Sequence, residues 1–347
     1  MNAHIRLPAE WEPQSGVLIT WPHQHSDWVD TLADIETFFI DLARAILKYQ
    51  GLLIIAYDET HQQHILETLK SYQVETNRLT LFCAQTNDTW TRDYGPIQVM
   101  TNDNQALLLD FTFNAWGNKY AAEKDNLISR TLFGNRILHA QAIHSYEFVL
   151  EGGSIDSDGH GIILTTEQCL LNENRNSSFN KADVESLLLE KFGLEKIHWL
   201  SEGMIAGDDT DSHIDMLARF TDQNTIVYAA CDDEYDEHYV PLQKMKNQLQ
   251  ALTDLHGRTY TLKALPIPKA IHDLDGNRLP ASYANFLIIN NAVLLPVYND
   301  DNDRIAIEVL QGCFPNRNII PVNARAAIAQ GGSLHCLTMQ LLKGVLN

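Results

Sequence analysis

Leu52-Leu53-Ile54-Ile55-Ala56-Tyr57 is a continuous apolar, β-prone run of strand length, and its flanks decide the fold class. Upstream, between Val29 and Tyr49, the apolar residues Leu32, Ile35, Phe38, Phe39, Leu42, Ile46 and Leu47 recur at steps of three and four. That spacing places them on one face of a helix, which is expected to lie on a sheet. Downstream, Glu59 to Tyr72 reads as a second helix. The alternation continues outward. Apolar runs at Leu79-Phe82, Ala106-Leu109, Ile162-Leu164, Thr225-Ala229, Phe286-Ile289 and Val293-Tyr298 are interleaved with helical patterns around Asp183-Phe192, Leu242-Leu252 and Arg304-Gln311. The class is mixed α/β. No motif repeats strongly enough to assert a repeat architecture from the letters alone.

The 347 residues are 45% hydrophobic and 20% charged, ordinary for a packed globular protein, and no Pro-, Ser- or Gly-rich stretch reads as a linker. One compact unit spanning 1–347 is expected. A net charge of −20 disfavours nucleic acid and anionic membrane partners and attracts cations, although solubility alone would explain it. The stretch Met1 to Pro8 lacks the apolar core of a signal peptide, and nowhere do about twenty apolar residues run unbroken. A cytoplasmic location is therefore expected. Five cysteines, Cys83, Cys169, Cys231, Cys313 and Cys336, are widely spaced with no C-x-x-C pair, which argues against disulfides and structural zinc. Cys83 and Cys169 sit beside apolar residues and read as core.

The polar clusters fall between the elements, where a rigid scaffold carries its chemistry. Cys336 follows Gly331-Gly332-Ser333-Leu334-His335, and the glycines let backbone approach a ligand closely. A nucleophilic thiol needs an acid/base partner, and Gly207-Asp208-Asp209-Thr210-Asp211-Ser212-His213-Ile214-Asp215 offers His213 among carboxylates that favour its protonated form. Metal binding by His213 and Asp215 is the competing reading. Asp93, in Arg-Asp-Tyr-Gly-Pro, and Glu151, in Glu-Gly-Gly-Ser, are carboxylates of the kind that pair with the fixed N–H fork of a guanidinium. Trp90 offers an aromatic face for the same cation. Pairing of Asp93 with its neighbour Arg92, or a turn cap, is the bland alternative.

Read in order, Pro8-Ala9-Glu10-Trp11-Glu12-Pro13-Gln14, Thr20-Trp21-Pro22, Trp90-Thr91-Arg92-Asp93-Tyr94-Gly95-Pro96, Phe113-Asn114-Ala115-Trp116-Gly117, Glu151-Gly152-Gly153-Ser154-Ile155, Leu164 to Asn172, Asp211-Ser212-His213-Ile214-Asp215 and Gly331 to Cys336 resemble the agmatine deiminase and bacterial peptidyl-arginine deiminase family, within the guanidino-group-modifying superfamily. The resemblance covers nearly the whole chain. It implies a pseudo-fivefold α/β propeller (a pentein) of ββαβ units around a central channel. It also implies Cys336 as nucleophile, His213 as general acid and base, Asp93 and Asp215 as the carboxylates gripping guanidinium nitrogens, and Glu151 as the carboxylate orienting His213. Asp209, Asp211, Gly331 and Gly332 are the further substrate-binding candidates. No metal, nucleotide or flavin cofactor is implied.

The implied reaction removes ammonia from a small cationic guanidinium substrate through a covalent thiouronium. Agmatine is preferred over free or peptidyl arginine because acidic neighbours such as Asp208, Asp209 and Asp211 suit its distal amine. Agmatine would place the chain in polyamine biosynthesis toward putrescine. Two departures from the family pattern, Asp156 where a His is expected after Glu-Gly-Gly-Ser-Ile and Asn118 where a Gly often follows Phe-Asn-Ala-Trp-Gly, leave substrate choice more open than reaction type. A guanidinium-binding protein without turnover is the rival from another class. The oligomeric state stays open, with a homodimer among the assemblies.

Overall fold

The structure is a computed structural model and describes residues 5–347. Met1 to His4, part of the stretch read above for a leader, lie outside them. Among the described residues no helix is long and apolar enough to cross a membrane.

Five separate sheets repeat one pattern. Each joins an antiparallel pair of strands to a third strand that returns parallel through a helix, since a parallel return needs a crossover. In the first sheet, Met339–Leu342 lies antiparallel to Gln14–Thr20, helix Leu32–Leu47 follows, Gly51–Ala56 returns parallel, and Leu79–Cys83 adds a further parallel strand. The second runs Ile97–Thr101, Ala106–Thr112, helix Ile128–Gly134 and Ala142–Val149, with Ile5–Arg6 at its edge. The third runs Ile155–Ser157, Ile162–Thr166, helix Lys181–Phe192 and Lys196–Leu200. The fourth runs Ala218–Asp222, Thr225–Ala230, helix Tyr239–Ala251 and Thr261–Pro266. The fifth runs Leu287–Ile289, Ala292–Val297, helix Asn302–Cys313 and Asn318–Asn323. The repetition that the letters did not disclose is therefore plain in the backbone. The units share only apolar strands and amphipathic helices, which leave no common motif.

The local reasons are ordinary. Helix Leu32–Leu47 buries Ile35, Phe38, Phe39, Leu42 and Ile46, each such side chain contributing about 1.5–3 kcal/mol by leaving water. The helix Glu59–Ser71 starts where Asp58 accepts the His61 N–H at 2.8 Å, an N-cap. The largest apolar core gathers residues from Val17 to Leu346, and a second joins Leu7 to Phe111, Phe148, Leu188 and Phe192.

Candidate active site

The polar motifs occupy equivalent places in this pattern. The one-turn helix Thr91–Tyr94 carries Asp93 just before Ile97–Thr101. Glu151 and the turn Gly152–Ser154 precede Ile155–Ser157, and His213 with Asp215 precede Ala218–Asp222. Cys336, in the turn His335–Leu337, precedes Met339–Leu342. Each segment thus leads into the first strand of a different unit. The fifth unit has its own contribution, Asn285 before Leu287–Ile289, which sequence reasoning missed. Its only signal would have been this positional equivalence, legible once the repeat is known.

These segments meet around Gly153. A Cβ on that residue would stand 2.6 Å from His213 Nδ1, 2.9 Å from Asp93 Oδ1 and 3.1 Å from Asp215 Oδ2. Asp215 Oδ2 is in turn 4.0 Å from Cys336 Sγ. The Asp93 carboxylate is fixed by the Trp116 indole N–H at 3.0 Å and the Gly153 N–H at 3.0 Å, and its Oδ1 is 3.7 Å from His213 Nδ1. Arg92 does not pair with it. That guanidinium turns instead to Gln340 Oε1 at 2.6 Å and toward Glu10 at 3.7 Å. Asp215 Oδ2 accepts from His335 Nδ1 at 2.8 Å, and His335 Nε2 meets Glu10 at 2.7 Å. The Asn285 amide holds Cys336, with Nδ2 3.3 Å from the sulfur and Oδ1 accepting the His335 N–H at 2.8 Å.

The electrostatics follow from burial and like charge. Burial raises the Cys336 thiol well above its usual value, and Asp215 and Asp93 push the same way. Burial pushes Asp93 up to about 6, with His213 opposing and Asp215 and Glu151 adding to the rise. Burial opposes a charged His213, but Asp93, Cys169 and Glu151 together outweigh it and hold the imidazole well above its usual range. The largest of these supports, Asp93, comes from a distant segment, and the sequence neighbours Asp208 and Asp215 interact with the same imidazole. Burial also works against an ionised Asp215, yet His335 keeps it below its usual value.

Several expectations change in place. Glu151 makes no hydrogen bond to His213: Arg175 Nε takes its Oε1 at 2.5 Å, Oε2 has no partner, and one carboxylate oxygen stands within 4.8 Å of an imidazole nitrogen. Asp211 does not line a substrate cavity. It accepts from Arg175 Nη1 at 2.8 Å and Asn174 at 3.3 Å, and burial, which would raise its carboxyl, is overridden by these donors. Asp208 braces the His213 loop, accepting the Ser212 N–H at 2.9 Å. Asp156 pairs with the fully buried Arg219 at 2.6 Å, and Arg219 reaches Glu10 at 3.0 Å. Cys169 is core-buried as read, but its sulfur lies beside His213 and Glu151. Arg175 and Arg219 carried no sequence signal beyond being single polar residues in mixed surroundings, whereas His335 stood inside the Gly331 to Cys336 motif without a role assigned to it.

Trp90 packs on Gly332, where a Cβ would come 2.3 Å from the ring, so only glycine fits. Gly331 has φ +87° and faces Asp209, 3.5 Å from its would-be Cβ. Trp90 and Trp116 form the inner wall of a cavity of about 180 Å³, which Asp27, Asp88, Asp125, Asp209 and Tyr120 also line. Among the described residues no Arg or Lys lines it. Asp209 accepts from the Tyr120 hydroxyl at 2.9 Å, and burial pushes Asp88 up to about 6. Asp215 Oδ1, Glu151 Oε2 and both ring nitrogens of His213 are buried and have no protein hydrogen-bond partner, at a cost of about 1–3 kcal/mol each.

A family profile described as Porphyromonas-type peptidyl-arginine deiminase matches residues 6–341. The chain belongs to that family. Among the family's relatives, agmatine deiminase of Stutzerimonas stutzeri (strain A1501) is 32% identical over 356 residues, covering 96% of this chain and 94% of that protein. Among solved structures, a serine-for-cysteine variant of C. jejuni agmatine deiminase with substrate bound is 42% identical at a TM-score of 0.90, covering 98% of this chain and 97% of the other. Agmatine deiminase of Enterococcus faecalis is 30% identical at a TM-score of 0.88, covering 97% and 96%.

Proposed function

We propose that this chain is an agmatine deiminase, converting agmatine and water to N-carbamoylputrescine and ammonia. The observation that carries the reading is the convergence of Asp93, His213 and Asp215 on Gly153 beside Cys336, with Asp215 Oδ1 lacking a donor. A guanidinium supplies the missing N–H groups, and its charge with that of the His213 imidazolium balances the two carboxylates. Its arrival offsets the like-charge part of the raised thiol pKa, and as it binds the Cys336 thiol gives up its proton to water. The Cys336 thiolate then attacks the guanidinium carbon. His213 gives its proton to the departing nitrogen, which leaves as ammonia, and the thiouronium remains. Water attacks that carbon, the imidazole takes a proton from it, and the C–S bond breaks to release the ureido product.

Substrate choice follows from the cavity. Acidic groups at Asp27, Asp88 and Asp209 suit a distal ammonium, and the absence of Arg or Lys from the lining leaves an α-carboxylate without a partner. The relatives named as agmatine deiminases support the same choice. For the architecture, the five equivalent pre-strand segments meeting at one site support a pseudo-fivefold propeller acting as a single catalytic unit. The test is ammonia release from agmatine, arginine and a blocked arginine peptide. Agmatine is expected to lead, and Cys336→Ala to abolish release; parent-rate turnover by that variant would end the scheme.

A further inference from the structure

The deimination scheme uses neither the Cys169 thiol nor Oε2 of Glu151, yet both are held against His213. One carboxylate oxygen of Glu151, the Cys169 sulfur and one imidazole nitrogen of His213 lie within 4.8 Å of one another, and all three residues are buried. The arrangement is built by named contacts. Thr166 caps the Cys169 turn, accepting the Cys169 N–H at 3.3 Å, while its hydroxyl donates to Ser212 O at 2.8 Å, next to His213. Arg175 ties Glu151 Oε1 at 2.5 Å to Thr210 O at 3.1 Å. Independently of this framework, Glu151 Oε2 and both His213 nitrogens are buried without a protein partner.

We propose that Glu151, Cys169 and His213 form a capture site for a thiophilic divalent cation such as zinc, and that the captured ion inhibits the enzyme. Sulfur, imidazole and carboxylate are the donor types zinc takes, at about 2.3, 2.0–2.1 and 2.0–2.2 Å. Ligand atoms around such an ion stand roughly 3.5 Å apart, so a contraction of about 1 Å by side-chain rotation closes the site. Calcium and magnesium, which want six or more oxygens, do not fit. On binding, Cys169 loses its thiol proton and His213 its imidazolium proton to water. Two protons leave and a doubly charged ion enters, so the layer keeps its charge despite the nearby Arg175. The acidic cavity of Asp27, Asp88 and Asp209 concentrates cations at the surface of the molecule. Inhibition follows because a metal-bound imidazole no longer moves protons; this half rests on the deiminase reading, whereas capture does not.

The test titrates the metal-free full chain with cobalt(II), following the sulfur-to-cobalt charge-transfer absorption. A band saturating at one ion per chain is expected, displaced by zinc, retained in Cys336→Ala and lost in Cys169→Ser. Zinc should also stop ammonia release reversibly by chelator, with the half-inhibiting concentration raised at least about 10-fold in Cys169→Ser. No band in the parent chain, a band that survives Cys169→Ser, or one lost in Cys336→Ala would overturn the proposal. Cadmium NMR on the parent chain gives the same answer without a variant: one sulfur donor supports the site, none or two refute it. A band without agmatine turnover would keep the capture site and fail only the deiminase reading.

Discussion

Replacing Gly153 with alanine tests the convergence most directly. The added methyl group would sit 2.6 Å from His213 Nδ1, about 0.8 Å inside the 3.4 Å at which ordinary contact begins, and 2.9 Å from Asp93 Oδ1. None of these neighbours is the free end of a flexible chain: Asp93 is held by Trp116 and Asp215 by His335. Imidazole and carboxylate must therefore shift by a good part of an ångström, and a misplacement near 1 Å costs on the order of 10²-fold in rate. The overpacking should cost about 1–3 kcal/mol of stability as well. The assay is kcat/KM for agmatine by ammonia release, beside a thermal melt. Gly134→Ala is the control: Gly134 is exposed at the end of helix Ile128–Gly134 with nothing within 4 Å of a Cβ, and the change should leave activity unchanged and stabilise by about 0.4–1 kcal/mol. A folded Gly153→Ala enzyme within about 3-fold of the parent would refute the geometry.

Other perturbations test other parts. With its pKa raised, Cys336 without substrate should react with iodoacetamide more slowly than a free cysteine at pH 8 and speed up about 10-fold per pH unit to well above pH 9; Asp215→Asn, removing one like charge, should accelerate alkylation at fixed pH, and an unchanged rate would show that this carboxylate does not govern the thiol. Asp209→Asn should raise the agmatine KM about 10-fold with kcat nearly constant, as expected for a lost charged contact to the distal amine. Arg219→Met strands Glu10 and Asp156 in the interior and should destabilise the fold by roughly 3–5 kcal/mol, read as a lowered melting temperature; adding Asp156→Leu should recover part of it.

What could be read from the letters was what leaves a local trace. The spacing of Ile35, Phe38, Phe39, Leu42 and Ile46 announces helix Leu32–Leu47, and Cys336, His213 and Asp93 stand in polar, glycine-rich motifs between apolar runs. What could not be read depends on distant partners. Nothing near His213 says that the strongest support for its charge is Asp93, 120 positions earlier. Nothing near Asp211 says that Arg175 claims it. Asn285 sits between Ala284 and Phe286 with no motif, and its role appears only when the fifth unit is laid beside the other four.

The sheet that opens with Gln14–Thr20 is completed by Met339–Leu342, which pairs Met339 with Leu18. A ribosome makes Gln14–Thr20 long before Met339–Leu342, so the strand carrying Leu18 keeps an open edge until that distant partner has been made. The turn bearing Cys336 leads directly into that late strand. Sealing of the first sheet and delivery of the Cys336 sulfur are thus one event, and a chain cut short before that turn would have neither.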